Sequence, residues 1–346
     1  MAARDNAAAA LIGSERMSET FHRHLGSGNL PAAMQNAVVA IGNFDGVHRG
    51  HQTVLRSALE TGRSMASPVI ALTFEPHPRS FFQPDTKLFR LTPPPMRARV
   101  LGALGLDGVL EIPFTSEFAQ TEARDFVETT LVGDLGARHI VTGHDFHFGR
   151  GRGGNPTFLR EAGSELGFGV SIVEAFSDEG GDVVSSTRIR ELLAGGDVAG
   201  AAGLLGYRYT VSAEISAGKQ LGRTLGFPTA NMALPDSNGL RHGIYAVRFR
   251  RADGSLHDGV ASFGRRPTVE DDGTVLLETF LFDFDHDLYG EECEVSFFGF
   301  LRPEAKFDGL DALVAQMKSD AAEARALLSG VTPLSELDAR IGFSTS

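Results

Sequence analysis

The stretch Val38-Val39-Ala40-Ile41-Gly42-Asn43-Phe44-Asp45-Gly46-Val47-His48-Arg49-Gly50-His51 decides how the first half of the chain is read. Its four leading residues are apolar and mostly β-branched, the pattern of a strand covered on both faces of a parallel sheet. Three glycines follow, and a backbone without Cβ atoms can approach a ligand closely while pointing free N–H groups at it. From Gln52 to Thr61, Val54, Leu55, Ala58 and Leu59 recur at helical spacing, so the turn opens a helix. His48 and His51 stand three apart, which puts both imidazoles on one side of a helix start, where they suit a phosphoryl group gaining charge. The same pair could also be two zinc ligands or two solvated histidines, although the H-E-x-x-H spacing of a zinc helix is missing.

Outward from this stretch, strands and helices alternate. Strands are expected at Val69 to Phe74, Gly108 to Phe114, His139 to Thr142 and Gly169 to Val173, and helices at Glu122 to Leu131, Phe158 to Leu166 and Arg188 to Leu193. This order predicts a right-handed parallel α/β sheet whose ligands lie beyond the carboxyl ends of the strands. Residues 1–33 read as a mobile N-terminal extension, and 34–200 as the first domain. Near residue 200 the pattern changes. Tyr207 to Ile215, Gly243 to Arg250, Val260 to Phe263, Val275 to Phe284 and Glu294 to Phe300 are short, β-branched and aromatic, with turn signals at Asp253-Gly254 and Asp272-Gly273. They predict a small antiparallel β-barrel over residues 204–340, closed by one helix from Leu310 to Leu328.

Composition narrows the function. The 346 residues carry 32 Lys and Arg against 44 Asp and Glu, a formal net charge of −12, which argues against a general nucleic-acid binder or an acidic-membrane binder. The single cysteine, Cys293, excludes an internal disulfide framework and a Cys-cluster metal site, and fits a reducing compartment. There is no run of eighteen apolar residues and no convincing secretory signal, so the expected location is the cytoplasm, with no membrane partner and at most a weak homo-oligomer.

Four segments carry the chemistry of the first half in order: Gly42 to His51, Leu72-Thr73-Phe74-Glu75-Pro76-His77-Pro78, Gly143-His144-Asp145-Phe146-His147-Phe148-Gly149, and Ser185-Ser186-Thr187-Arg188-Ile189-Arg190. The serines and threonine at a helix start offer donors for phosphate, and Arg188 adds a planar fork, though an ordinary helix cap would look the same. No G-x-x-x-x-G-K-[ST] loop occurs, so any ATP chemistry here is not of the P-loop kind. In the second half, Gly218 to Asn231 is a glycine-punctuated loop ending Pro228-Thr229-Ala230-Asn231, where Thr229 and Asn231 are hard oxygen donors suited to Mg2+. A bare turn ending in asparagine is the plainer alternative, just as Glu278 alone could be a surface residue of a half-exposed strand.

Together these motifs resemble the bacterial bifunctional riboflavin kinase/FAD synthetase family, over about residues 36–330. The resemblance implies a nucleotidyltransferase-like parallel sheet domain followed by a riboflavin kinase-like barrel. It also implies ATP-dependent phosphorylation of riboflavin to FMN, then adenylylation of FMN to FAD with release of pyrophosphate. Carried onto this sequence, it makes His48, His51, Arg188 and Glu278 catalytic, and Gly42, Asn43, Phe44, Gly50, Ser186, Thr187, Gly222 and Gly226 ATP- or phosphate-binding. Asp145, Phe148 and Arg302 would contact flavin, and Thr229 and Asn231 would hold Mg2+. Two positions depart from the family pattern: His147 where arginine is common between the two phenylalanines, and Ser262 where asparagine is usual. A transferase with another acceptor would leave the Pro-Thr-Ala-Asn half unexplained. A flavin carrier without turnover is opposed by the intact His48, His51, Thr229, Asn231 and Glu278.

Overall fold

The computed structural model describes residues 21–216, 227–265 and 275–344. The first half is a parallel sheet of six strands: β1 (His22–Leu25), β2 (Val38–Ile41), β3 (Val69–Glu75), β4 (Gly108–Pro113), β5 (His139–Gly143) and β6 (Gly169–Val173). Their spatial order is β1-β4-β3-β2-β5-β6. Every residue of β2 is buried, as an apolar run covered on both faces requires. Helix α1 (Arg49–Met65) packs its Val54, Leu55 and Ala58 face on the sheet. Gly62 lets it lie flush, since a Cβ there would come within 2.2 Å of the Val69 side chain.

Three parts of the first half differ from expectation. His22–Leu25, inside the stretch expected to be mobile, is an edge strand paired with Gly108–Glu111; residues 1–20 lie outside the described residues. Two unexpected helices, α2 (Pro78–Phe82) and α3 (Pro94–Ala103), fill the connection from β3 to β4. The helix expected over 122–131 forms as Ala123–Asp125 running into a wider π-type helix, Phe126–Asp134, which buries Phe126, Val127, Thr130 and Leu131. The Ala- and Gly-rich segment after residue 194 is also helical, over Val198–Leu205.

The second half closes into an antiparallel barrel from β7 (Thr210–Ser216), β8 (Thr229–Leu234), β9 (Gly243–Arg250), β10 (Leu256–Arg265), β11 (Val275–Leu281) and β12 (Glu292–Arg302), ordered β10-β11-β8-β7-β12-β9. Strand β8 was not expected, because the Pro-Thr-Ala-Asn segment reads as a loop; Thr229 is the strand's first residue. A helix over Leu310–Ser329 lies outside the barrel and packs Ala324 and Leu328 against Ala246, Phe282 and Phe298.

The two halves share one apolar core. It runs from the α1 side of the sheet through Leu204, Leu205, Tyr207 and Tyr209 into the barrel residues Tyr245, Phe249, Phe263 and Phe297. The Tyr207 hydroxyl donates to the Gly46 carbonyl at 2.9 Å, pinning the barrel to the turn after β2. The C-terminal segment ties the same faces together. Arg340 donates to the Ala103 carbonyl at 2.7 Å, and Arg99 donates to the Ile341 carbonyl at 3.3 Å. Asp338, fully buried, pairs with the Arg208 guanidinium and accepts from the backbone N–H groups of Arg208 and Leu334. Replacing one member of a buried ion pair strands the other's charge, at a cost of about 3–5 kcal/mol. Asp338→Ala is therefore expected to lower the urea midpoint of unfolding by that amount of stability, whereas a loss below about 1 kcal/mol would show the pair to be solvated.

Candidate active sites

The strand order reverses between β2 and β5, and the loops following these two strands face one cavity of about 980 Å3. Gly42, Asn43, Phe44, Asp45, His48, Gly50 and His51 line it from the β2 side, and Asp145, Phe146, His147 and Phe148 from the β5 side. Ser185, Ser186, Thr187 and Arg190 close a third wall. The structure thus brings most of the expected first-half residues to one place.

The turn is held in an unusual backbone state. Phe44, Gly46 and Val47 all lie in the left-handed region, at φ of 48°, 88° and 39°. For phenylalanine and valine this costs energy and persists only where the surroundings over-determine it. His48 caps α1, its Nδ1 accepting the His51 N–H at 3.3 Å. That bond leaves the Nε2–H of neutral His48 as a donor. The His48 and His51 rings stack at 3.6 Å, and Gly50 makes room, since a Cβ there would sit 3.2 Å from the His48 ring. Burial pushes the His48 imidazole down to about 4, against the raising influence of Asp45, while Arg190 lowers it further. Burial and then the His48 neighbour hold His51 well below the ordinary range. Both rings are therefore neutral at pH 7, and the His51 Nδ1 is buried with no hydrogen-bond partner among the described residues.

The remaining residues divide by what they touch. The Asn43 carbonyl accepts from Thr73 at 3.2 Å and Arg97 at 3.5 Å, fixing the backbone of the turn. Ser186 Oγ donates to the Asp45 carbonyl at 2.9 Å, joining the Ser186–Gly195 helix to the same turn. Thr187 is exposed in the cavity. Arg188 is committed elsewhere: its guanidinium binds Asp178 at 2.7 Å and the carbonyls of Asp182 and Val183. Arg190, two residues on, faces the cavity instead and pairs with Asp45. Phe148 is mostly core, stacked on Phe146 at 5.4 Å and seated over Gly154. His147 lies 3.1 Å from Arg152, so a guanidinium stands beside the position where the sequence lacks one. Sequence reading missed Asp45 and Arg190 as site residues although both lie inside quoted motifs. It also missed the wall of Phe74, Phe114, Phe118 and Phe126, which no local pattern separates from core.

In the barrel, register builds the site. Asn231 on β8 pairs with Glu278 on β11, Glu278 with Ser262 on β10, and Ser262 with Ile244 on β9, which pairs with Arg302 on β12. Directly opposed residues share a face, so these side chains form a row around the barrel's outer surface. Thr229 lies on the same face, two residues from Asn231. Asn231 is 4% exposed; its Nδ2 donates to the Thr229 carbonyl at 3.1 Å, and its Oδ1 has no hydrogen-bond partner among the described residues. Thr229 and Asn231 line a groove of about 350 Å3 together with Asp285, Asp287 and Tyr289. A buried, unpartnered amide oxygen beside a hydroxyl fits a hard divalent cation. At the end of the row Arg302 is held by both Asp320 oxygens, at 2.8 Å from Nε and 2.6 Å from Nη2. Gly222 and Gly226 lie outside the described residues.

Two family models match successive parts of the chain. The FAD synthetase family model matches residues 30–188, and the riboflavin kinase family model matches residues 205–328. The bifunctional riboflavin kinase/FMN adenylyltransferase of Escherichia coli K12 is 40% identical over 294 residues, covering 85% of this chain and 93% of that one. That of Listeria monocytogenes is 36% identical over 296 residues, covering 85% and 93%. A crystal structure described as a macrolide-efflux protein from Streptococcus pneumoniae superposes with a TM-score of 0.76 at 30% identity, covering 90% of this chain and 99% of that chain. Among the described residues no helix is long and apolar enough to cross a membrane. The chain belongs to the bifunctional riboflavin kinase/FMN adenylyltransferase family.

Proposed function

We propose that this chain makes FAD from riboflavin in two ATP-dependent steps, with the barrel over residues 204–340 as kinase and the sheet domain over 34–200 as adenylyltransferase. The observation that carries the reading is the presence in one chain of two separate sites of different chemistry, one built on neutral stacked histidines and one on a carboxylate beside hard oxygen donors.

In the barrel, the ribityl 5′-hydroxyl of riboflavin attacks the γ-phosphorus of ATP, ADP leaves, and Glu278 accepts the hydroxyl proton. Thr229 and the Asn231 Oδ1 would hold Mg2+, which when bound neutralises phosphate charge. Arg302 binds Asp320 and through it fixes the Leu310–Ser329 helix beside the flavin end of the row.

In the sheet domain the nucleophile is the FMN phosphate itself. It attacks the α-phosphorus of a second ATP, and pyrophosphate leaves. No protein nucleophile or base is required, so positioning and donors dominate. His48 gives its Nε2–H to phosphate, and His51 fixes the His48 ring by stacking and by its backbone N–H. Thr187, the backbone N–H of Ser186 and the glycines of the turn supply further donors. Arg188 positions the loop over residues 178–183.

The two sites should separate by mutation. His48→Ala is expected to slow FMN adenylylation about a hundredfold or more, and His51→Ala, which loses the stacked ring but keeps the backbone N–H, to slow it less, while riboflavin phosphorylation stays near wild type in both. Asn231→Ala and Glu278→Gln should do the reverse, each lowering FMN formation about a hundredfold with FAD formation from supplied FMN retained. Chromatography of the flavins reads both arms. Loss of both activities together in every variant would defeat the two-site assignment.

A pH profile tests the state of the histidines. His48 is held down to about 4, so it is already neutral throughout pH 5.5–8. In an NMR pH series of the folded protein the His48 imidazole should show no titration near 6.5 in that window. A step there would mean that the ring takes up a proton in the site. With the folded value depressed, the unfolded chain takes up the proton first, so the contribution of His48 to stability falls as pH drops from about 6.5 towards 4.

A further inference from the structure

One segment touches the adenylylation turn without belonging to any motif of the sequence. Residues 83–93 form a strap between α2 and α3. Lys87 pairs with Asp236 of the barrel, and the Phe89 ring meets Tyr209 edge-on at 6.0 Å. Phe89 fits because the barrel presents Gly239, where a Cβ would come within 2.9 Å of the ring. The next three residues turn the other way, onto the turn that carries His48. Arg90 binds Glu75 at 2.6 Å and places Nε 3.6 Å from Asp45 Oδ1. Leu91 packs on Gly46, where a Cβ would lie 2.9 Å from its Cδ1. The Thr92 N–H donates to Asp45 Oδ1 at 3.0 Å, and its hydroxyl accepts the Gly46 N–H at 2.7 Å.

We propose that Arg90 is a positioning residue for adenylyl transfer: with Thr92 it clamps Asp45 and so holds the left-handed turn that aims His48, the barrel acting as the strap's abutment. The proposal rests on the function assigned above to the sheet domain. Phe44 and Val47 are at positive φ, so the turn relaxes unless neighbours over-determine it. Asp45 is 2% exposed and is the point at which Arg90, Thr92 and Arg190 converge on the turn. A shift of about 1 Å in a positioned donor costs on the order of a hundredfold in rate. Arg90 is not among the residues lining the cavity, so its effect falls on kcat through Asp45, not on substrate affinity.

The test uses the full-length protein and measures both steps. Arg90→Gln leaves no stranded charge, because Glu75 keeps Arg97 at 2.9 Å and Asp45 keeps Arg190. Its adenylylation kcat is expected to fall about tenfold or more, with KM for ATP and FMN and the riboflavin kinase rate within about twofold of wild type. Arg90→Lys should recover part of the loss, since an ammonium keeps the charge without the fork that spans Glu75 and Asp45. In an Asp45→Asn background, Arg90→Gln should add little, because its route is already cut. Thr92→Val, which removes the Gly46 acceptor, gives a second arm with the same kcat-only signature should Arg90→Gln fail to fold. Wild-type kcat in both Arg90→Gln and Thr92→Val, or an equal further loss in the Asp45→Asn background, would overturn the proposal. A wild-type protein that makes no FAD from FMN and ATP would instead overturn the function on which it rests.

Discussion

A buried carboxylate organises the candidate site of the sheet domain. Asp45 has almost no contact with water, and a charge in that setting is tolerable only when opposite charge and N–H donors surround it. Arg190 comes from the Ser186–Gly195 helix, Arg90 from the strap, and the Thr92 N–H from the residue leading into α3. Two separated stretches of chain, the strap and the Ser186–Gly195 helix, must therefore meet at one side chain. The turn they enclose takes its left-handed shape from that meeting, and His48 inherits its orientation. The histidines need no charge of their own at rest, since burial keeps both neutral and a hydrogen bond settles which nitrogen carries the proton.

The barrel solves a different problem by a simpler device. Its interior is filled by Tyr245, Phe249, Phe263 and Phe297, so it encloses packing and not substrate. The residues proposed for the kinase step lie on the outward-facing side of the strands, where register alone sets Asn231, Glu278 and Ser262 side by side. A one-residue slip of β11 against β8 would turn Glu278 into the core and expose Leu277, so apolar burial enforces the alignment of Glu278 with Asn231.

Much of this was legible in the sequence because the signals were local. The run Val38 to Ile41 is a strand for reasons contained within it, and Gly50 and His51 lie where the His48 ring requires them. What escaped was non-local. Helix α3 begins in consecutive prolines, which a first helical turn tolerates, and puts Arg97 on its buried side, where Glu75 and Glu111 neutralise it from strands far along the chain. β1 alternates between half-buried and exposed residues and carries two histidines and an arginine, too weak a signal without its partner β4. Arg188 and Arg190 are equivalent as letters in a motif. Only the Asp178 carboxylate, brought up by the preceding loop, occupies the first and leaves the second for the site. β8 was hidden because Pro-Thr-Ala-Asn resembles a turn until β7 and β11 are seen on either side.

The apolar core shared by sheet and barrel bears on how the protein comes apart. Leu204, Leu205, Tyr207 and Tyr209 belong to both halves at once, and the C-terminal segment is bonded to both. Separating the halves would uncover that surface in water and break the buried Tyr207 bond, so partial opening along this seam is unfavourable. Unfolding of either half is therefore expected to carry the other with it, so that the two catalytic steps are lost in parallel.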